Sequence, residues 1–416
     1  MANDDIKNLT IIEIGNDTTK MLAGSFSEHT PYVFCTKEVS SKNILLNGVV
    51  RGDCVKTVGD ALKEVVNIHD EAITNKCSLD HALFILPPDG MKVYEEHQRM
   101  GVLGRSNNEG KVDVDDVRGL LKSIETNIRQ SAPDYQIIDI IPGVYRYGGK
   151  TSNTAPYGEK ADSIETRAWV HCVNRDSFAS FQNVIKSTEL NPGEYSYGVA
   201  PYAASKMIAW QKGDIEAYII LDLGGYSSDI SLIGEGNLYQ SLTMPQGMNH
   251  LTQKIADSFD ISFKEAENIK RTFGYNLRKT VFNAPIIVNK HGEPCYQANL
   301  NKVIEDWFKE YDIILKNAIN TLLEPTIAKN SAEAANIFKT CPIFLIGGGA
   351  NLNDIEDLLK AGLDQHIPEV FVPNVAGARD PKYVNLLGLL VHKCTSDNPL
   401  EDGNSVTLSR VKHEGE

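Results

Sequence analysis

Two short segments combine carboxylates, glycines and hydroxyl side chains, the first with a lysine as well, at spacings that suit phosphate chemistry. The first is Glu13-Ile14-Gly15-Asn16-Asp17-Thr18-Thr19-Lys20, and the second is Asp222-Leu223-Gly224-Gly225-Tyr226-Ser227-Ser228-Asp229. Each places an acidic residue at the end of an apolar run and follows it with glycine and hydroxyl residues. Glycine lets backbone N–H groups approach an oxyanion, Ser and Thr add donors, and a carboxylate at a strand end holds a hydrated Mg²⁺ that offsets phosphate charge. Lys20 adds a point charge for the same phosphates. Taken singly, each segment also reads as an ordinary hairpin turn; it is their recurrence that favours the chemical reading. A third glycine turn, Gly347-Gly348-Gly349-Ala350, again ends an apolar run, Ile343–Ile346.

The elements that must hold these turns are legible from periodicity. Leu9–Gly15 and Met21–Gly24 read as two strands of a hairpin, and Ala217–Gly224 with Ile230–Ile233 repeats the device. Residues 53–74 read as a helix with Val55, Val58, Leu62, Val65 and Val66 on one face. Residues 82–174 form a self-contained α/β block. In it the Ala82–Leu86 strand precedes a helix striped by Val114, Val117, Leu120, Leu121, Ile124 and Ile128 and capped by Asp113. Ile137–Ile141 and Arg167–Val173 supply further strands, and His171 in the latter reads as a packed histidine. A helix with Phe178, Phe181, Val184 and Ile185 on its face stops at Asn191-Pro192-Gly193, and residues 105–112 read as a mobile loop. A long helix carries Val303 through Leu322, with Trp307, Phe308 and Tyr311 in its core face. From Thr395 the chain reads as a loose acidic tail.

Composition narrows the classes of function. With 41 Lys and Arg against 55 Asp and Glu, the net charge of −14 opposes nonspecific nucleic-acid binding, which needs a basic surface. Charged residues at 23% and an ordinary apolar content exclude disorder. The seven cysteines show no C-x-x-C pair or zinc spacing, which fits a reduced cytosol. The polar start offers no secretory signal, and no run approaches the roughly 20 apolar residues of a spanning helix.

In order and spacing, the three glycine turns resemble the first phosphate, second phosphate and adenosine motifs of the actin superfamily. Phe263-Lys-Glu-Ala-Glu267-Asn-Ile-Lys270 is similar to that superfamily's Ala-Glu-x-x-Lys segment, although a solvated pair three residues apart on a helix is the plainer alternative. The block at 82–174 resembles the small subdomain that the FtsA family inserts in its first lobe. Phe84-Ile-Leu-Pro, Ile140-Ile-Pro142-Gly-Val-Tyr145, Pro156-Tyr-Gly158, Leu300-Asn-Lys-Val-Ile-Glu-Asp-Trp and Asp380-Pro-Lys-Tyr-Val-Asn-Leu-Leu-Gly388 also match FtsA wording.

The resemblance implies an α/β, actin-like two-lobed ATPase fold with an inserted small α/β subdomain. It implies a first-lobe core at 1–81 with 175–205 and about 375–394, and an insertion at 82–174. The second-lobe core would be 206–245 with 338–374, its outer subdomain 246–337, and the tail 395–416. It further implies ATP held by Gly15, Asn16, Lys20, Gly224, Gly225, Tyr226, Ser227, Gly247, Glu267, Lys270, Gly347, Gly348 and Gly349, and Mg²⁺ held through Glu13 and Asp222. The implied protein is a cytoplasmic, filament-forming division adaptor that binds the C-terminal tail of an FtsZ-like tubulin homologue and acts at the inner face of the membrane through partners.

Three departures qualify this expectation. Tyr226 replaces a glycine, and would be strained if the turn required positive φ. Ala200 stands where a Glu or Gln would position the attacking water, so hydrolysis is expected to be slow, with no catalytic residue assigned. The acidic end lacks the basic amphipathic helix of the family, which argues against direct membrane binding. Alternatives are a plasmid-segregation filament, a PilM-like pilus adaptor, and a sugar-kinase-branch enzyme using Asp17 or Asp229 as base.

Overall fold

The computed structural model describes residues 7–40, 43–46, 48–73, 82–102, 110–188, 196–277, 284–329, 332–360, 362–363 and 365–396, with no side-chain description at 65–73 and 332–334. Two compact units emerge. One comprises Met1–Lys206, Asn237–Tyr239 and Leu386–Glu416, and the other Met207–Gly236 and Gln240–Asn385.

The first unit begins with β1 (Lys7–Ile14), β2 (Thr18–Ser27) and β3 (Thr30–Ser40), an antiparallel meander in which Glu13 lies directly opposite Lys20. Leu9, Ile11, Ile12 and Ile14 are all buried, so β1 is covered on both faces. After the short ladder β4 (Leu45–Leu46) and β5 (Val49–Val50) comes α1 (Val55–Ile73), the helix expected from the valine spacing. β6 (Leu83–Leu86) runs parallel to β1.

The chain then builds a separate sheet from β7 (Met91–Gly101), β8 (Tyr135–Tyr147), β9 (Lys150–Ser152) and β10 (Ser163–Asn174), in the order β7-β10-β8-β9. Helix α2 (Val114–Ser131) packs Val117, Leu120, Leu121, Ile124 and Ile128 of its expected stripe against Ile164, Ala168, Val170 and Cys172 of β10, whereas Val114, in its first turn, is exposed. Asp113 caps it as expected, in a reciprocal box with Asp116, at 2.9 and 3.0 Å. α3 (Arg175–Lys186) returns the chain, and β11 (Tyr197–Val199) completes the first sheet, β11-β6-β1-β2-β3. The Asn191–Gly193 stop, and most of the loop expected at 105–112, lie outside the described residues.

α4 (Ala200–Lys212) leads into the second unit. There β12 (Ala217–Leu223) pairs antiparallel with β13 (Ser228–Gly234) and parallel with β17 (Ile343–Ile346). With β14 (Asn237–Met244) and β18 (Pro368–Val370) they form the order β14-β13-β12-β17-β18. Helices α5 (Met248–Phe259) and α6 (Phe263–Phe273) pack together, followed by the minor ladder β15 (Ile287–Val288) with β16 (Pro294–Cys295). The long helix is α7 (Gln297–Lys329). Its Trp307, Phe308 and Tyr311 are buried as expected, with the Trp307 and Tyr311 rings stacked at 4.9 Å. α8 (Ala332–Lys339) and α9 (Ile355–Lys360) flank β17, and α10 (Val384–Thr395) closes the described fold. The loose tail expected beyond it lies outside the described residues. No helix among the described residues is long and apolar enough to cross a membrane.

Candidate nucleotide site

In the first unit the turn between β1 and β2 is closed by the Gly15 N–H, which donates to Thr18 O at 2.9 Å. A Cβ at Gly15 would sit 2.9 Å from that same oxygen, so a side chain there would push the turn open. Lys20 Nζ lies 2.7 Å from Glu13 Oε2, and both side chains are 11% exposed. The cross-strand register thus converts a sequence separation of seven into a buried ion pair. Asn16 anchors the turn to the following segment, accepting the Leu45 N–H on its side-chain oxygen at 2.9 Å and the Ile44 N–H on its carbonyl at 3.2 Å.

In the second unit Asp222 sits near the end of β12, opposite Asp229 on β13 and beside Ile346 on β17. Its Oδ2 accepts a hydrogen bond from Asn385 Nδ2 at 3.1 Å. The glycine turn that follows is fused to the start of α5. Gly224 O accepts the Met248 N–H at 2.9 Å and Gly225 O accepts the Asn249 N–H at 2.7 Å. Gly247 lies so close beneath them that a Cβ would stand 2.5–2.7 Å from both carbonyl oxygens. Its own N–H donates to His250 Nδ1 at 3.1 Å. Tyr226 is not among the non-glycine residues with positive φ, so the turn accepts a side chain there without that strain, whereas a Cβ at Gly224 would stand 2.6 Å from the Ser227 carbonyl oxygen. Asp229 accepts the Thr243 hydroxyl at 2.5 Å, bracing β13 against β14.

The third turn meets the same strand end. Gly347 has φ +83°, and a Cβ there would collide with Asp222 Oδ1. At Gly349 a Cβ would meet Met248 Cγ and Leu223 Cβ at 2.5 and 2.7 Å, whereas at Gly348 it would enter open space.

Glu267 and Lys270 are not a solvated surface pair. Lys270 is 7% exposed, and its Nζ contacts Glu267 Oε2 at 2.7 Å, Thr252 Oγ at 2.7 Å and Met248 O at 3.1 Å. Thr252 donates to Glu267 Oε2 at 2.6 Å, and Arg271 holds the other oxygen at 2.6 Å. Burial pushes the Glu267 pKa up, but Lys270, Thr252 and Arg271 outweigh it and hold the carboxyl at about 2. Met248 therefore joins two parts of the network, giving its N–H to the glycine turn and its carbonyl to Lys270.

In the second unit, then, Asp222, Gly224, Gly225, Gly247, Glu267, Lys270, Gly347 and Gly349 share one network, while Glu13, Gly15, Asn16 and Lys20 share one turn of the first. Sequence reasoning missed Thr252, Met248, His250 and Asn385. Asn385 had a signal, a lone amide in the apolar run Val384-Asn385-Leu386-Leu387. Ala200 opens α4 and is buried, so its place carries no group able to orient water. His171 is fully buried with its ring 4.7 Å from that of Tyr202, the packed histidine expected.

Comparison with known proteins bears on this geometry. The family profile described as Cell division protein FtsA matches residues 219–388. The chain is 26% identical over 349 residues to the cell division protein FtsA of Buchnera aphidicola subsp. Baizongia pistaciae, covering 82% of this chain and 78% of that protein. Among solved structures, the PilM–PilN type IV pilus biogenesis complex superposes with TM-score 0.58 at 16% identity, covering 94% of this chain and 99% of that one. MreB5 of Spiroplasma citri bound to ADP gives 0.51 at 14% identity, covering 95% and 99%. The expected α/β fold is borne out by these neighbours. The chain is similar in sequence to the cell-division protein FtsA over most of its length and has an actin-like fold.

Proposed function

We propose that this chain is an actin-like cell-division protein that binds ATP with Mg²⁺ and works as a filament-forming adaptor for an FtsZ-like tubulin homologue. The observation that carries the nucleotide part is the continuous network from Asp222 through the Gly224–Gly225 turn and Met248 to Lys270 and Glu267. Gly224, Gly225, Tyr226 and Ser227 would offer backbone N–H groups to phosphates, and in the first unit Gly15, Asn16 and Lys20 would offer the same chemistry. Gly347, Gly348 and Gly349 would admit the adenosine, and Glu267 with Lys270 would contact its ribose and base.

The residues fit Mg²⁺ as it is bound in nucleotide sites, through one or two carboxylates, water and the phosphates themselves. Among the described residues no group of three His, Cys, Asp or Glu could hold a metal alone, and phosphate oxygens and water would complete the shell. Asp222 is partly exposed at a strand end among glycines, and Glu13 is the corresponding carboxylate of the first unit's turn. When bound, the cation would supply neutralisation of phosphate charge. Ala200 provides neither a general base nor a hydrogen-bond acceptor for water, so turnover would be slow and ATP would act chiefly as a conformational ligand.

The partner is tested by pull-down with the C-terminal tail peptide of FtsZ from the same cell, with a PilN-derived peptide beside it. Retention of the FtsZ tail is expected. Selective retention of the PilN peptide instead would overturn the division role in favour of a pilus adaptor. A cytoplasmic location, with the division site reached through partners, follows from the same reading. The net charge of −14 likewise opposes direct nucleic-acid binding.

A further inference from the structure

We infer that Asn385 is a positioning residue for the Asp222 carboxylate, fixing the side-chain orientation in which Asp222 meets a divalent cation brought in with a nucleotide. The inference rests on the nucleotide reading above and adds a residue to it. Asp222 is confined from two sides. Its Oδ1 lies against Gly347, where no Cβ fits, and its Oδ2 accepts from Asn385 Nδ2 at 3.1 Å.

Asn385 is 4% exposed, and Val384, Leu386 and Leu387 beside it are fully buried. A leucine, which shares the branch at Cγ, would suit this helix better if burial of apolar surface were all that mattered, because a buried amide has to recover its lost hydration through hydrogen bonds. The segment that carries the amide is itself pinned to the glycine turn. The Gly347 N–H donates to Pro381 O at 3.2 Å, and Asn351 Nδ2 donates to Asp380 Oδ1 at 3.0 Å. Asp380 also caps its own turn by accepting the Lys382 N–H at 3.0 Å. The strand end, the glycine turn and the start of α10 thus form one frame around a single carboxylate. An amide suits the task chemically. It donates to Asp222 without the positive charge of a lysine, which would compete with the cation, and without the acidity of a second carboxyl, which would share a proton. Groups that orient a metal's carboxylate in this way typically change metal affinity 10–100-fold when removed.

The test compares ATP affinity by calorimetry in Mg²⁺ and in EDTA, for the wild type and Asn385→Leu, with melting curves taken without ligand. The expected result is a Mg²⁺-dependent gain in the wild type that falls roughly tenfold in the variant, while affinity in EDTA is unchanged. Equal loss in both buffers, or no loss in either, would overturn the inference and leave the nucleotide reading standing. No ATP binding by the folded wild type would instead remove the nucleotide reading, and the inference with it. If Asn385→Leu does not fold, Asn385→Ser, whose hydroxyl is too short for this contact, is read by the same criteria.

Discussion

His392 shows how burial and neighbouring charges together set a charge state. It lies fully buried in the first unit, where burial, Lys393, Lys206 and His171 lower its pKa to about 3 against the opposing pull of Asp139. Asp139 is equally buried and would be raised by that burial. Lys393 at 3.8 Å, with His171 and His392, instead brings it to about 2. The Tyr202 ring also faces His392, at 5.1 Å. An unfolded histidine titrates near 6.5, so between about pH 6.5 and 3 the unfolded chain binds the extra proton and stability falls as pH falls. The contribution is on the order of 1 kcal/mol per pH unit. Melting temperatures from pH 7 to 5 should therefore decline more steeply in the wild type than in His392→Phe, and parallel slopes would contradict this. Glu267 obeys the same sign lower down, its stabilisation complete above about pH 4.5 and lost as pH falls through about 2. Glu267→Gln would strand Lys270 without its carboxylate and should cost about 3 kcal/mol in denaturant unfolding. Neither network was legible beforehand. A spacing of three on a helix says nothing of burial, and residues 139, 171 and 392 meet only through tertiary packing.

At the scale of elements, glycines in one turn do different work. Gly349 faces Met248 and Leu223 at distances a methyl cannot share, whereas Gly348 faces open space. Gly349→Ala should destabilise by roughly 1–3 kcal/mol through overpacking. Gly348→Ala should leave unfolding midpoints unchanged, and its effect, if the turn receives adenosine, should appear only in nucleotide affinity. Equal melting losses in the two variants would refute this assignment. α4 and α10 cross with similar tightness, since any Cβ at Gly388 would run into the Ala203 carbonyl. The strands and helices themselves were readable. Apolar runs ending at glycine located β1, β12 and β17, and the 3.6-residue stripes located α2 and α7. What periodicity lacked was register. The pairing of Glu13 with Lys20, and the seating of the Gly224–Gly225 carbonyls on the start of α5, depend on which residues fall opposite one another.

At the scale of the whole molecule, sequence kinship and fold point the same way. The chain is similar in sequence to FtsA and in fold to PilM and MreB5, and its two units each carry a strand–turn–strand with a carboxylate near the bend. The departure at Ala200 belongs to this scale, because it bears on whether the nucleotide is consumed or merely held. Ala200→Gln should raise any ATPase rate at least about tenfold, measured as phosphate release, and an unchanged rate would mean that water is oriented elsewhere. The central claim is that the second unit's turns bind a nucleotide, and titration calorimetry of the full chain with Mg²⁺-ATP tests it most directly. The account predicts saturable binding that weakens at least about tenfold in Asp222→Ala with the fold intact. Absence of binding to the wild type, or equal affinity in the folded variant, would contradict it.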